Sequence, residues 1–275
     1  MPTMVFLVAG ARPNFMKVAP LWRAFQAHRD LFQVKLVHTG QHYDANMSDV
    51  FFRDLGLPRP DIHLGVGSGT HAEQAGAVMV GFERICQQER PGLVLVVGDV
   101  NSTMAVAITA KKMLIPVGHV EAGLRSRDWT MPEEVNRIIT DVICDHLFTP
   151  SRDADANLLA EGIAPERICL VGNIMIDSLV GAVAKARSLD VWQRFGVGRG
   201  EYGLVTLHRP ANVDDSSNLA RMIDVIASLG VPLVFPVHPR TRKIMDAAGL
   251  AGEGASRDGL VKILDPLGYH EFLNL

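Results

Sequence analysis

Short apolar runs, each closed by a turn residue, alternate with amphipathic stretches along most of this chain, and that alternation restricts it to few folds. The runs lie at residues 5–9, 34–39, 93–98, 116–120, 147–149 and 168–171. They are apolar at successive positions, as strands are when both faces of their sheet are covered. Between them, residues 17–28, 72–89 and 102–113 carry helical periodicity. Strands and helices in this order predict an α/β fold, a doubly wound parallel sheet built by right-handed crossovers, that is, a Rossmann-like domain.

After Gly172 and Asn173 the pattern changes. A helical run over 176–195 leads into the glycine-rich stretch 196–200, and strands at 203–207, 232–237 and 261–264 then alternate with helices at 219–229 and 243–248. A boundary near residue 173 is expected, dividing the chain into a Rossmann-like domain over 1–172 and a linker helix with a partial second Rossmann-like domain over 173–275. That second domain stops inside the opening of a further helix, from Tyr269 to Leu275. The chain is therefore expected to be C-terminally truncated.

Composition narrows the function. The 275 residues suffice for roughly two domains at ~150 residues each. With 48% hydrophobic and 21% charged residues the chain has core enough to exclude a disordered segment. A net charge of −3 supplies no basic field for nucleic acid or an anionic membrane, so phosphate must be met by locally placed cations and amides. Cys86, Cys144 and Cys169 show no C-x-x-C spacing, which argues against a disulfide framework or a zinc site and suits a reducing compartment. The apolar start lacks a basic leader and no apolar run approaches ~20 residues, so a cytoplasmic protein without a membrane span is expected. No metal or redox cofactor is implied.

Ligands of a parallel α/β sheet sit at the carboxyl ends of its strands, and the chemically suggestive residues fall there. Gly10 ends the first strand, and Arg12 and Lys17 follow at a helix start opened by Pro13, a place where free amides meet phosphate. An ordinary strand-to-helix turn with a solvated arginine reads equally well. The pattern is not G-x-G-x-x-G, so a nicotinamide or flavin site is unsupported. Asp99 stands just beyond an apolar strand and before Asn101, Ser102 and Thr103, where helix capping is the plain alternative to catalysis. Glu121 ends the strand that also carries His119; a carboxylate there needs a partner, which makes it an acid–base candidate, whereas His119 reads as a satisfied core histidine. Glu133 and Arg137 lie four apart on one helix face, a spacing that dipole complementarity also explains. His208 and Arg209 follow the first strand of the second domain and suit a pyrophosphate, although a surface loop accounts for them too. His238 repeats that arrangement more weakly.

Taken in order, GARPNFMKVAPL, TGQHYDANM, VGDVNST, GHVEAGLRS, MPEEVNR, VGNIMIDSL, VTLHRPANVD and PVHPRT resemble the non-hydrolysing UDP-N-acetylglucosamine 2-epimerases across almost the whole chain. The resemblance implies a GT-B-like fold of two Rossmann-like domains with the active site between them, the second being incomplete here. It also implies conversion of UDP-N-acetylglucosamine to UDP-N-acetylmannosamine for surface polysaccharide precursors, by elimination of UDP to a glycal-type intermediate and re-addition. Asp99, Glu121 and Glu133 then form the acid–base set. Arg12, Lys17, Arg137 and His208 hold UDP or stabilise the leaving group, with His208 counted among the catalytic residues and Arg209 and His238 among the substrate-binding ones. Gln41 and His42 match a segment near a second, allosteric UDP-sugar site, and the family usually forms homodimers. Two departures stand out. Asn14 occupies a position where many members carry glutamate, pointing to a related sugar, and the family's later Ser-Gly-Gly and Thr-Glu-Arg-Pro segments are absent. A hydrolysing epimerase, a non-catalytic sugar-nucleotide-binding remnant and a GT-B glycosyltransferase are the alternatives.

Overall fold

A computed structural model of the chain describes residues 2–40, 52, 54–207, 210–250 and 260–275. It divides into two compact units, Met1–Gly181 and Ala182–Leu275.

The first unit runs β1 (Thr3–Ala9), α1 (Arg12–Gln26), β2 (Phe32–His38), β3 (Ile62–His63), α2 (His71–Glu89), β4 (Leu93–Val97), α3 (Asn101–Lys112), β5 (Val117–Val120), α4 (Pro132–Ile143), β6 (His146–Thr149), α5 (Arg152–Ala160), β7 (Ile168–Leu170) and α6 (Ile174–Arg187). Its strands pair in parallel in the order β3-β2-β1-β4-β5-β6-β7. The order reverses between β1 and β4, so the loops leaving those two strands part and open a crevice of the kind in which doubly wound sheets take ligands. The successive apolar residues of the strands are buried as their pattern requires. Phe6, Val94, Val96, Val117 and Leu147 pack with Phe82 and Cys86 of α2, Val106 and Ala110 of α3 and Leu158 of α5. Each large side chain so buried is worth about 1.5–3 kcal/mol.

Two elements of the first unit, β3 and α5, are absent from the sequence-based expectation. β3 contributes two residues, held to β2 by the Val37–Ile62 and His38–His63 pairings, and is too short to show a period. α5 is polar on most faces and is announced chiefly by Ser151, whose hydroxyl accepts the Ala154 amide.

The single helix expected over 176–195 is instead two. α6 ends at Arg187, Asp190 takes a left-handed φ of 46°, and α7 (Val191–Arg194) restarts. The Asn274 side chain bridges the break, accepting the Val191 amide at 2.6 Å and donating to the Ala186 carbonyl at 2.9 Å. No glycine or proline marks this break; a side chain from far along the chain supplies the bonds that continuous helix would have made. The division between units falls inside α6, whose early turns stay with the first unit, where the Ser178 hydroxyl donates to the Met16 carbonyl.

The second unit continues with β8 (Gly203–Leu204), α8 (Pro210–Val213), α9 (Ser216–Ala227), β9 (Leu233–Pro236), α10 (Pro239–Ala247), β10 (Val261–Leu264) and α11 (Tyr269–Asn274). Its three strands are parallel in the order β10-β9-β8. Leu219, Ile223 and Ala227 of α9, Leu233 and Phe235 of β9 and Met245 of α10 form its core. No helix among the described residues is long and apolar enough to cross a membrane.

Candidate active site

The site begins where β4 ends. Gly98 turns the chain with a left-handed φ of 69°, and a Cβ there would lie 2.9 Å from Lys17 Nζ and 3.2 Å from Asn14 Nδ2. A side chain there would be strained by that turn and would crowd the Lys17 and Asn14 side chains. Asp99 follows, and α4 grips it twice. Asn136 Nδ2 donates to the Asp99 carbonyl at 2.8 Å, and Arg137 donates from Nε at 3.0 Å and from Nη2 at 2.6 Å to Asp99 Oδ2. Arg137 Nη1 also reaches Glu134 Oε2 at 3.1 Å, so one guanidinium lies between two carboxylates. Burial works against the Arg137 charge, but Asp99 and then Glu134 outweigh it and raise its pKa.

Glu134 is 2% exposed. It accepts the Ser126 amide at 2.9 Å, the Ser126 hydroxyl at 3.0 Å and the Arg127 amide at 2.9 Å. Burial pushes its pKa up, yet the two amides, the hydroxyl and Arg137 together hold it at about 2. Glu134 is thus a brace that is ionised at neutral pH. Its neighbour Glu133 is half-buried and borders a cleft of about 490 Å3 with Thr70, His71, Gln74, Asn101 and Asn136. An amide chain floors that cleft: Asn101 Nδ2 donates to Gln74 Oε1 at 3.0 Å and Asn136 Nδ2 to Asn101 Oδ1 at 3.2 Å.

The depressed carboxylates set an acid limit. Asp141 is also lowered, because His119 and Arg125 outweigh the effect of its burial. A carboxylate whose folded pKa lies below its unfolded value contributes stability that is full above the unfolded pKa and is lost as pH falls through the folded one. The urea midpoint is therefore expected to hold steady from pH 7 to about 5 and to drop between about pH 4.5 and 2. A midpoint unchanged down to pH 3 would contradict this.

Glu121 stands one residue past β5 at a φ of 75°, a left-handed conformation costly for a residue with a Cβ. Its amide and that of Ala122 both donate to the Phe148 carbonyl, at 3.0 and 3.1 Å, which holds the strained turn in place. Glu121 Oε2 is paired with Lys17 Nζ from α1. Relief of the strain is measurable: Glu121→Gly is expected to be more stable to urea than Glu121→Ala by about 1 kcal/mol. Equal stabilities would show that the turn is unstrained.

Asn14 closes the site on the β1 side. It is 2% exposed; its Oδ1 accepts the Gly10 and Ala11 amides at 3.1 and 2.9 Å, and its Nδ2 donates to the Val97 carbonyl at 3.1 Å. An ionised glutamate in its place would have no donor for that carbonyl, so the amide is built into the bonding of both strand ends.

Of the residues expected from sequence, Asp99, Glu121, Lys17 and Arg137 therefore come together at the ends of the neighbouring strands β4 and β5, with Glu133 on the adjoining cleft. His238 lies in the second unit at the end of β9, where its Nδ1 accepts the Arg240 amide at 3.2 Å and caps α10. Gln41, His42, His208, Arg209 and the Arg12 side chain lie outside the described residues. Sequence reasoning did not find Glu134, Asn136 or Asp141 as parts of this site. The available signal was charged or amide groups inside the otherwise apolar face of α4. Among the described residues, no group of three or more His, Cys, Asp or Glu side chains is arranged to hold a metal ion.

Carboxylates paired with cations thus gather at the carboxyl ends of the strands of a doubly wound α/β sheet, where such sheets take their ligands. The family model for UDP-N-acetylglucosamine 2-epimerase matches residues 23–275. A UDP-N-acetylglucosamine 2-epimerase homolog of Methanococcus maripaludis is 41% identical over 98% of this chain and 75% of its own length. A UDP-2,3-diacetamido-2,3-dideoxy-D-glucuronate 2-epimerase of Pseudomonas aeruginosa is 39% identical over 98% of this chain and 74% of its own. The crystal structure of the Methanocaldococcus jannaschii UDP-GlcNAc 2-epimerase in complex with UDP-GlcNAc and UDP superposes with a TM-score of 0.85 at 37% identity, over 98% of this chain and 75% of that one. The chain belongs to the UDP-N-acetylglucosamine 2-epimerase family, which is a family of isomerases. Its fold is GT-B-like, with a parallel α/β sheet in each unit.

Proposed function

We propose that this enzyme inverts C2 of UDP-N-acetylglucosamine to give UDP-N-acetylmannosamine by eliminating and re-adding UDP, supplying surface polysaccharide precursors. The observation that carries the reading is the placement of Asp99 and Glu121, each with its own cation, at the ends of adjacent strands. The C2 proton of such a sugar is not acidified by a neighbouring carbonyl. Its removal becomes feasible when the C1–O bond to the diphosphate breaks in the same process, leaving a glycal and UDP. Re-addition of UDP at C1 and delivery of a proton to the opposite face of C2 complete the inversion. This needs two acid–base groups, for which Asp99 beside Arg137 and Glu121 beside Lys17 are the candidates. Glu133 is the third member of the set by family resemblance. Lys17 offers charge to the departing diphosphate, a role the resemblance extends to Arg12, Arg137 and His208, with Arg209 and His238 as further substrate-binding residues.

The test is turnover of UDP-N-acetylglucosamine in heavy water followed by proton NMR. Deuterium is expected at C2 of both epimers, and its absence would overturn the reading. Release of free N-acetylmannosamine would mark a hydrolysing epimerase instead. A second reading, a 2,3-diacetamido uronate as the sugar, is favoured by Asn14 and by the Pseudomonas relative; offering both UDP-sugars in parallel and comparing kcat/KM separates the two. We further infer a cytoplasmic homodimer, supported by family resemblance and by three free cysteines. Light scattering of the purified protein tests the dimer.

A further inference from the structure

One buried ionisable group has no part in the reaction just proposed, yet it hydrogen-bonds the turn that carries one reacting carboxylate and lies on the strand that leads into the other. His119 lies on β5, two residues before Glu121, and is 1% exposed. Its Nδ1 is 2.6 Å from Asp141 Oδ1, and its Nε2 is 2.8 Å from the Gly98 carbonyl oxygen. Carboxylate and carbonyl oxygens only accept hydrogen bonds, so each of these contacts requires an N–H on the ring. A ring with one hydrogen would set a nitrogen lone pair against an oxygen lone pair in a dry interior, where such a mismatch is costly.

The two partners are the ones that matter for geometry. Gly98 is the left-handed residue immediately before Asp99, and its carbonyl orientation sets the direction in which Asp99 leaves β4. Asp141 is fully buried, and its other oxygen accepts the Gly123 amide at 3.0 Å and Arg125 Nη1 at 2.8 Å, on the far side of Glu121. Arg125 is itself held by Glu161, at 2.8 and 2.6 Å. Any buried histidine needs partners for its ring nitrogens; what sets this one apart is that its partners are the carbonyl beside Asp99 and the carboxylate that holds the Gly123 amide beyond Glu121.

We propose that His119 is a positioning residue: with a hydrogen on each ring nitrogen it ties the Gly98 carbonyl to the Asp141 carboxylate, and so fixes the turn presenting Asp99 and the strand end presenting Glu121. The proposal rests on the reading of Asp99 and Glu121 as acid–base groups. Displacing a reacting group by about 1 Å costs about 100-fold in rate, so a broken clamp acts on kcat and leaves ground-state binding nearly intact.

His119→Gln supplies one donor group in place of two. It is expected to lower kcat for C2 epimerisation by about 100-fold and to change KM by less than about threefold, a split that general loosening does not produce. Phe82→Leu serves as the folding control, because Phe82 is buried against Phe6 away from both turns. It should lose comparable stability with kcat unchanged. Nitrogen-15 NMR of the wild-type protein at pH 7 is expected to show both ring nitrogens of His119 bearing hydrogen. A bare ring nitrogen, or a folded His119→Gln protein with wild-type kcat, overturns the role of His119. Lack of C2 exchange by the wild-type protein overturns the reaction instead, and the ring spectrum still judges the clamp.

Discussion

Asp99→Asn is expected to lower kcat for C2 epimerisation by about 10²–10⁴-fold, the usual worth of a general acid–base group. The amide keeps the shape of the carboxylate and still accepts from Arg137, so positioning is preserved while the capacity to take a proton is lost. Arg137 keeps its second carboxylate, Glu134, and is not left as an unpaired charge. The variant should therefore fold normally, and KM should move little. Steady-state kinetics together with C2 deuterium incorporation checks both points. A kcat within threefold of wild type would remove Asp99 from the chemistry and leave it as a strut for Arg137.

The largest effect on stability is expected from Asp141→Ala. Asp141 is wholly buried and answers three groups at once: the His119 ring, the Gly123 amide and Arg125, whose side chain is 3% exposed. Removing the carboxylate strands donors, and charge, where water does not reach. Loss of one partner from a buried pair typically costs about 3–5 kcal/mol. Arg125 retains Glu161, which favours the lower part of that range. Urea denaturation with tryptophan fluorescence reads the change, and a loss below about 1 kcal/mol would show that the network is solvated or replaceable. Asp141→Asn should fall between, since it retains an acceptor for the Gly123 amide but not the charge facing Arg125.

Where these two residues sit illustrates how far the sequence could be read. Asp99 was legible because a carboxylate directly after an apolar run is a local pattern, and Glu121 was legible for the same reason. Asp141 was not. It appears as one more acidic residue in an amphipathic helix, and only the packing of α4 against β5 turns it inward. Glu133 and Glu134 make the point more sharply. They are adjacent and chemically identical, but successive helical residues point about 100° apart. Which one is buried as an ionised brace and which borders the open cleft depends on how α4 is rotated about its axis.

Short-range pattern thus determined the parallel α/β architecture of the first unit, the strand-end positions of the candidate carboxylates and the family resemblance. Apolar spacing and turn residues act over a few positions, and both survive in the linear order of the chain. Tertiary structure alone decided the partnerships: Lys17 with Glu121, 104 positions apart, Arg137 with Asp99, 38 apart, and the His119 ring between Gly98 and Asp141. Ion pairs and buried hydrogen bonds are formed by whichever groups the closed sheet brings within about 3 Å. That selection is made by the order of the strands in space, which no local stretch of sequence contains.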